Sequence, residues 1–251
     1  MNRSRLSYRS GNPALNKSSF DSFSRTSRGA EINEVMTIKG TVDKTAIGLF
    51  LLIFSGYYSF APGMTYLIPV GVFGGLIVGI ITIFKKEWSP ITVPIYAILE
   101  GLAMGSISYM FNQAYEGIVM QAIGLTLGIL ASLLLAYRSG MIKATENFKL
   151  GVVAATGGIF LVYMASFVMS FFGASISVLD PTNSSLMSIG FSLFIVVIAS
   201  LNLVLDFDFI EEGAKKGAPK YMEWYGAFGL LVTLIWLYLE ILKLLSKLRS
   251  R

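Results

Sequence analysis

Seven apolar runs, each close to the length needed to cross a bilayer, constrain this chain more than any other feature. A transmembrane helix needs about 20 mostly apolar residues. Only 14% of the 251 residues are charged, against about 25% in soluble domains, and the charges cluster between the runs. The runs cover residues 45 to 60, 66 to 84, 91 to 111, 118 to 137, 150 to 173, 186 to 206 and 224 to 245.

Helices rather than strands are predicted for these runs. Strands of a transmembrane barrel alternate apolar and polar residues over about ten positions, and these runs do not alternate. An α-helix satisfies its own backbone hydrogen bonds in lipid. The expected fold is therefore an all-α polytopic membrane protein, a bundle of seven transmembrane helices over residues 41 to 251 in contact with the lipid bilayer.

The segment over residues 1 to 40 differs in composition, since it is rich in Ser, Arg and Asn and has no apolar run. We expect a flexible, basic cytosolic tail. Because such a segment lacks the apolar content to join a core, deletion of residues 1 to 38 is expected to leave the bundle folded.

Lysine and arginine predict the orientation, because positive residues beside membrane-spanning segments are retained in the cytoplasm. The tail and every second loop are basic, whereas the alternate loops "YYSFAPGMTY", "NQAYEG" and "GASISVLDPTNSS" contain neither residue. The N-terminus is therefore expected in the cytoplasm. A seventh crossing then places Lys243, Lys247, Arg249 and Arg251 outside, against the rule. Either the last run crosses despite them, which we favour, or it is re-entrant.

Several kinds of chemistry are excluded by composition. The chain has no cysteine and no histidine, which removes thiol catalysis, Ser-His and Cys-His catalysis, and the common zinc motifs. No phosphate or dinucleotide cradle occurs, so no cofactor is expected. Aromatic residues do not interleave with a basic stripe, so nucleic acid is not a predicted partner. The chain is expected not to be an enzyme.

Carboxylates within the apolar runs are the candidate functional residues, because an ionisable group in a membrane costs about 2.5 to 3.5 kcal/mol on insertion scales. Glu100 lies about nine residues, roughly 14 Å, into the third run. It is either part of an ion path or a carboxyl bonded across helices. Glu240 has Lys243 three residues on, so it is either functional or one member of an exposed pair near a helix end.

Asp206 closes the sixth run and is followed by Asp208, Glu211 and Glu212. The three followers are interpreted as solvated loop charge. Asp206 differs from them only if the helix continues through Ile210 and buries it. Asn202, one turn earlier on the same face, would then extend a polar line inward.

Small residues four apart predict close helix packing, because lipid supplies no hydrophobic drive between helices. Two such motifs stand in consecutive runs: "GLAMG" with Gly101 and Gly105, and "GLTLG" with Gly124 and Gly128. They indicate a compact bundle rather than a ligand site.

Five segments carry a family resemblance: "NPAL", "MTIKGTVDKTAIGL", "EGLAMGSIS", "EGIVMQAIGLTLG" and "NLVLDFDFIEEGAKKGAPKYMEWYGAFGLLVTLIWLYLEIL". They resemble the bacterial YccA-like branch of the Bax inhibitor-1 (transmembrane Bax inhibitor motif) family. The resemblance implies six helices around a central seventh in a bacterial inner membrane. It also implies a pH-sensitive calcium leak channel, or a modulator of cell death or membrane proteolysis.

The resemblance also implies a pair of pore aspartates, one in the sixth helix and one in the seventh, that form a proton-sensitive lock. Asp206 in "DFDFI" matches the first. For the second, "LYLE" points to Glu240, whereas the family's spacing favours Thr233. By depth, Glu100 is expected to meet Thr233 and to supply the mid-membrane carboxylate. Calcium is the candidate ion, held at Asp206 and Glu100.

Two functions stay open at this point. Carboxylates within the membrane favour a cation-conducting protein, because their oxygens can replace part of a hard ion's hydration shell. The long tail of distinct composition favours a non-conducting modulator that binds a membrane protease or another membrane complex.

Overall fold

The computed structural model describes residues 35–251, which form seven α-helices. β structure in this range is limited to one bridge between Val35 and Pro219. The all-α prediction is therefore confirmed. The helices are α1 (Ile38–Ser59), α2 (Leu67–Phe84), α3 (Ser89–Ala114), α4 (Ile118–Arg138), α5 (Glu146–Ser170), α6 (Leu186–Lys215) and α7 (Met222–Arg249), with 3-10 turns at Met64–Tyr66, Lys86–Trp88 and Ser177–Leu179.

Six helical segments, those containing α2 to α7, are long and apolar enough to cross a membrane. The first helix α1 falls short of that standard, because its first two turns contain Lys39, Asp43 and Lys44. Large apolar side chains such as Phe50 and Phe73 are exposed on the outer faces. In a bilayer these side chains would contact lipid, so the chain is a multi-pass helical membrane protein.

The packing of the helices is uneven. The last helix α7 contacts α1, α3, α4 and α6, and α3 also packs closely against α1 and α2. The core of the described chain consists largely of α7 side chains such as Tyr225, Phe228 and Leu231. By contrast, α5 packs mainly against α6.

The basic loops meet at one end of the bundle, which we call the basic end. The backbone N–H of Met36 donates to Ala218 O at 2.6 Å. Ser89 Oγ, at the start of α3, donates to Tyr221 O at 2.8 Å. The beginnings of α1, α3 and α7 therefore lie side by side.

The opposite end, which we call the far end, gathers the loops that lack lysine and arginine. Arg249, at the end of α7, donates to Glu116 O in the α3–α4 loop at 2.7 Å. Lys247 Nζ donates to Val178 O in the α5–α6 loop at 2.7 Å. The last helix thus runs from the basic end to the far end without a break, and protein atoms bind its basic side chains there.

The two glycine motifs have different surroundings. A Cβ added at Gly101 would overlap Ser55 Oγ and Leu52 O, so "GLAMG" lies at the contact between α1 and α3. For Gly124 and Gly128 the packing prediction is corrected, because no atom of the described residues lies within 4 Å of an added Cβ. The reason is the rotation of α4: the face containing Ile118, Ala122 and Thr126 is buried, and the "GLTLG" face points outward.

Candidate functional site

Asp206 is fully buried in the bundle. The sixth helix continues through Ile210 to Lys215, nine residues beyond the apolar run. Asp206 is 0% exposed and Asn202, one turn earlier, is 2% exposed. The helix therefore continues through Ile210 and buries Asp206, which is the condition that separates Asp206 from the three carboxylates after it.

The three carboxylates after Asp206 lie on the last turns of α6 and form ion pairs at the basic end. The interpretation as solvated loop charge is corrected, because the helix continues and brings cations within reach. Exposed pairs of this kind contribute about 0 to 1 kcal/mol each. The pairs are Asp208 with Lys149, Glu211 with Lys215 at 2.5 Å, and Glu212 with Lys216 at 2.9 Å.

Glu100 and Thr233 lie at one level of the bundle. The contact between Ser89 and Tyr221 aligns the starts of α3 and α7. Glu100 follows Ser89 by eleven residues and Thr233 follows Met222 by eleven, which is roughly 16 Å along each helix. Thr233 is 3% exposed. By this count the two residues lie at a similar depth, and their meeting stays a prediction.

Asp206 lies at a similar depth to Thr233 and Glu100. Its helix α6 runs antiparallel to α3 and α7, so its depth is counted back from the end of α6. A hydrogen bond of 2.8 Å from Lys247 Nζ to Ser192 Oγ aligns α6 and α7 near the far end. Asp206 lies nine residues before the end of α6, about 14 Å from the basic end. Glu240 lies seven residues beyond Thr233, about 10 Å closer to the far end. The structure thus groups Asp206, Thr233 and Glu100 by level and leaves Glu240 apart.

The Glu100 side chain is half-buried and faces α2. A Cβ added at Gly75 would overlap the Glu100 carboxylate. Glycine at this position therefore makes the space that the carboxylate occupies between α2 and α3.

Glu240 belongs to a separate polar cluster that connects α7 with α5. Tyr163 OH donates to Glu240 Oε1 at 2.8 Å, and Lys243 Nζ lies 3.0 Å from the same oxygen. Glu240 is 2% exposed. The pairing with Lys243 occurs as the sequence indicated, but the pair is not exposed at Glu240, because Tyr163 from α5 covers the carboxylate.

Comparison with known proteins identifies the family. The model of the family described as Bax inhibitor 1 like matches residues 12–250. The chain belongs to that family. No curated protein and no solved structure matches the chain. The family match extends over α1 to α7, so every candidate residue of this Bax inhibitor 1 like protein lies within it.

The described residues do not form a ready-made calcium site of clustered carboxylates. Within residues 35–251 no group of three or more His, Cys, Asp or Glu side chains could hold a metal ion. For this Bax inhibitor 1 like protein, calcium at Asp206 and Glu100 therefore stays a prediction.

Glu223, in the first turn of α7, is an acidic residue that sequence reasoning missed. Its side chain is 0% exposed and accepts hydrogen bonds from Thr37 N at 3.0 Å and Thr37 Oγ1 at 2.8 Å. Lys44 and Lys220 each lie 2.9 Å from the carboxylate. A Cβ at Gly40 would overlap it. The sequence feature that could have indicated an ordered start of α1 was Thr37, a residue type preferred at helix N-caps, with Gly40 three residues later.

The boundary of the predicted tail moves as a result. Residues 1 to 34 lie outside the described residues, but Thr37 caps α1 by accepting from Gly40 N at 2.9 Å, and Met36 is 2% exposed. The last residues assigned to the tail, 35 to 40, therefore belong to the bundle.

A truncation series tests this boundary. A chain that starts at residue 39 loses Met36 and the Thr37 cap, and a lost cap alone costs about 1 kcal/mol. We expect it to melt several degrees lower in detergent than a chain that starts at residue 35. Equal melting temperatures would show that these contacts do not stabilise the bundle.

Proposed function

We propose that this Bax inhibitor 1 like protein is a calcium leak channel of a bacterial inner membrane rather than an enzyme. In this proposal α1 to α7 all cross the bilayer, α7 is the central helix, and the N-terminus is cytoplasmic. Three observations support it: the six apolar helices, the collection of basic loops at one end, and the contacts of α7 with four other helices.

The buried carboxylate of Asp206 is the observation that carries the proposal. A charged group in hydrocarbon is costly and marks ion pathways when it occurs. Asp206 is 0% exposed, it lies about 14 Å from the basic end, and its level is that of Thr233 and Glu100. Oxygen ligands from several helices at one level suit a hard cation.

Each residue has a stated role in this proposal. Asp206 and Glu100 supply carboxylate oxygens near mid-membrane, and Thr233 supplies a hydroxyl at the same level. Glu240 supplies a further carboxylate nearer the far end.

Calcium flux into liposomes containing the purified protein tests the proposal. We expect Asp206→Asn and Glu100→Gln each to reduce flux by about tenfold, the factor that corresponds to ~1.4 kcal/mol. Glu212→Gln is the matched control, since Glu212 pairs with Lys216 at 2.9 Å, and it should change flux less than twofold. A larger effect from Glu212→Gln than from Asp206→Asn would contradict the assignment.

A non-conducting modulator that binds a membrane protease or similar complex is the second candidate. The observation in its favour is the outward "GLTLG" face of α4, where Gly124 and Gly128 leave room for a foreign helix to approach. Small residues four apart permit that approach in lipid. Wild-type protein that shows no calcium flux, together with partner capture that is lost in Gly124→Leu, would favour this function over conduction.

A further inference from the structure

The fifth helix α5 is attached to the bundle more weakly than its neighbours. Only 11% of its apolar stretch is buried, against 56% for α3, α6 and α7. Its packing is mainly against α6. Its glycines Gly151, Gly157 and Gly158 have no atom of the described residues within 4 Å of an added Cβ. This helix therefore lacks the close backbone contacts that join α1 to α3.

The inward face of α5 alternates polar and apolar residues at helical spacing. The apolar positions are Val152 and Ile159, each 4% exposed. The polar positions are Lys149, Thr156 and Tyr163, seven residues apart, which places them about 10 Å apart along one face. The polar positions can join α5 to its neighbours by hydrogen bonds between side chains rather than by close approach of the backbones.

Each polar position on α5 has a polar partner on α6 or α7, and the Tyr163 hydroxyl has a second one, since it also accepts from Lys243 Nζ at 3.2 Å. We call this line of contacts the α5 seam. The pairs are the Lys149 ion pair with Asp208, the hydrogen bond of 2.8 Å from Asn202 Nδ2 to Thr156 Oγ1, and the hydrogen bond of 2.8 Å from Tyr163 OH to Glu240 Oε1.

The seam can open at modest cost. A hydrogen bond between transmembrane helices contributes little net stability, because the same groups also find partners when the helices are apart. Within the described part of the chain, the buried apolar residues of α5 are Val152 and Ile159. When α5 separates, water that enters can satisfy Asn202 and Glu240, which an apolar seam would not permit.

The seam also contains side-chain oxygen atoms at successive depths, from the far end to the basic end. Glu240 lies toward the far end, Asn202 near the middle and Asp208 at the basic end. Asp206 lies one turn from Asn202 on the same face of α6. A hydrated divalent cation that moved along the seam would therefore meet a carboxylate or amide oxygen at each step.

We propose that the α5 seam is the part of the ion route between the far end and the level of Asp206, Thr233 and Glu100, and that α5 is the helix that moves away from α6 and α7 to open it. The inference rests on the proposed conduction of calcium and specifies its route. Lys149, Thr156 and Tyr163 hold the seam closed through their contacts with Asp208, Asn202 and Glu240.

Cross-linking tests the movement, and the absence of native cysteine makes every introduced pair unique. Ile159→Cys combined with Ile195→Cys joins α5 to α6, because these two side chains share one apolar cluster. The control pair Ser108→Cys with Tyr238→Cys joins α3 to α7, where the native side chains lie 2.6 Å apart. Both pairs are linked with a bifunctional thiol reagent that contains a reducible disulfide.

We expect the α5–α6 link to reduce calcium flux by about tenfold, a shift of ~1.4 kcal/mol in the opening equilibrium. Reduction of the link should restore the flux. The α3–α7 link should change flux less than twofold. Flux that is unaffected by the α5–α6 link would overturn the seam as the route.

A second measurement does not depend on conduction. Val152→Cys should react with a charged, water-soluble thiol reagent at least about tenfold faster than Ala122→Cys, because the seam opens and the α4 contact does not. Both native side chains are buried. Equal, slow reaction would overturn the moving helix. Fast reaction at Val152→Cys in protein that passes no calcium would contradict the proposed channel and retain the opening of the seam.

Discussion

Gly105→Ala is expected to destabilise the bundle severely, whereas Gly124→Ala should leave it nearly unchanged. A Cβ at Gly105 would overlap Gly56 O and Ser59 Oγ. The carbonyl oxygen belongs to the backbone of α1 and has no rotamer by which to move aside, so α1 must shift as a unit. Overpacking typically costs 1 to 3 kcal/mol, and a backbone clash should lie at the upper end, about 3 kcal/mol.

Gly124→Ala is the control that separates the cost of the clash from the effect of alanine on helix propensity. Both glycines lie inside helices in motifs of the same spacing, and replacement by alanine favours a helix by about 1 kcal/mol at either site. At Gly124 an added Cβ meets no atom of residues 35–251 within 4 Å. Melting temperatures in detergent should therefore fall by many degrees for Gly105→Ala and hold or rise slightly for Gly124→Ala. Similar melting of the two variants would mean that α1 and α3 do not meet at this face.

The sequence predicted the helices well because hydropathy alone determines which segments can cross a membrane. Their ends were harder to predict. The first helix starts at Ile38, seven residues before the apolar run, because Thr37 and Glu223 provide polar partners at the basic end. The sixth helix continues nine residues past Asp206 because Glu211 and Glu212 each pair with a lysine one turn later.

The two glycine motifs show which part of the site could not be predicted. "GLAMG" and "GLTLG" have the same spacing, yet one lies against a neighbouring backbone and the other faces outward. The difference comes from how each helix is rotated, which depends on contacts distant in sequence. Glu240 is similar: Lys243 was visible three residues away, but Tyr163 comes from another helix.

Asp206 shows what sequence could predict. An aspartate at the end of an apolar run, with Asn202 one turn earlier, indicated a buried polar line if the helix continued. The structure contains that continuation. The similar depths of Glu100 and Thr233 come from counting residues along α3 and α7, since each residue adds about 1.5 Å.

Glu223→Gln is expected to be the most destabilising change of a single charged residue at the basic end. The carboxylate is 0% exposed and has two cations and Thr37 around it. Glutamine retains the shape and the space beside Gly40, so the variant removes charge without creating a cavity. Breaking a buried ion pair costs about 3 to 5 kcal/mol. Because Lys44 is 24% exposed and Lys220 is 47% exposed, water can solvate both lysines, and we expect about 2 kcal/mol.

Glu212→Gln is the matched control, because Glu212 pairs with Lys216 at 2.9 Å and both side chains are partly exposed. Such a pair contributes at most about 1 kcal/mol. Thermal unfolding in detergent should therefore place Glu223→Gln several degrees below wild type and Glu212→Gln within about two degrees of it. High salt should lower the stability of wild type slightly more than that of Glu212→Gln, because screening acts mainly on exposed pairs and the variant lacks one of them. If the two variants melt together, Glu223 does not join the start of α1 to α7, and the close approach at Gly40 is packing without an electrostatic contribution.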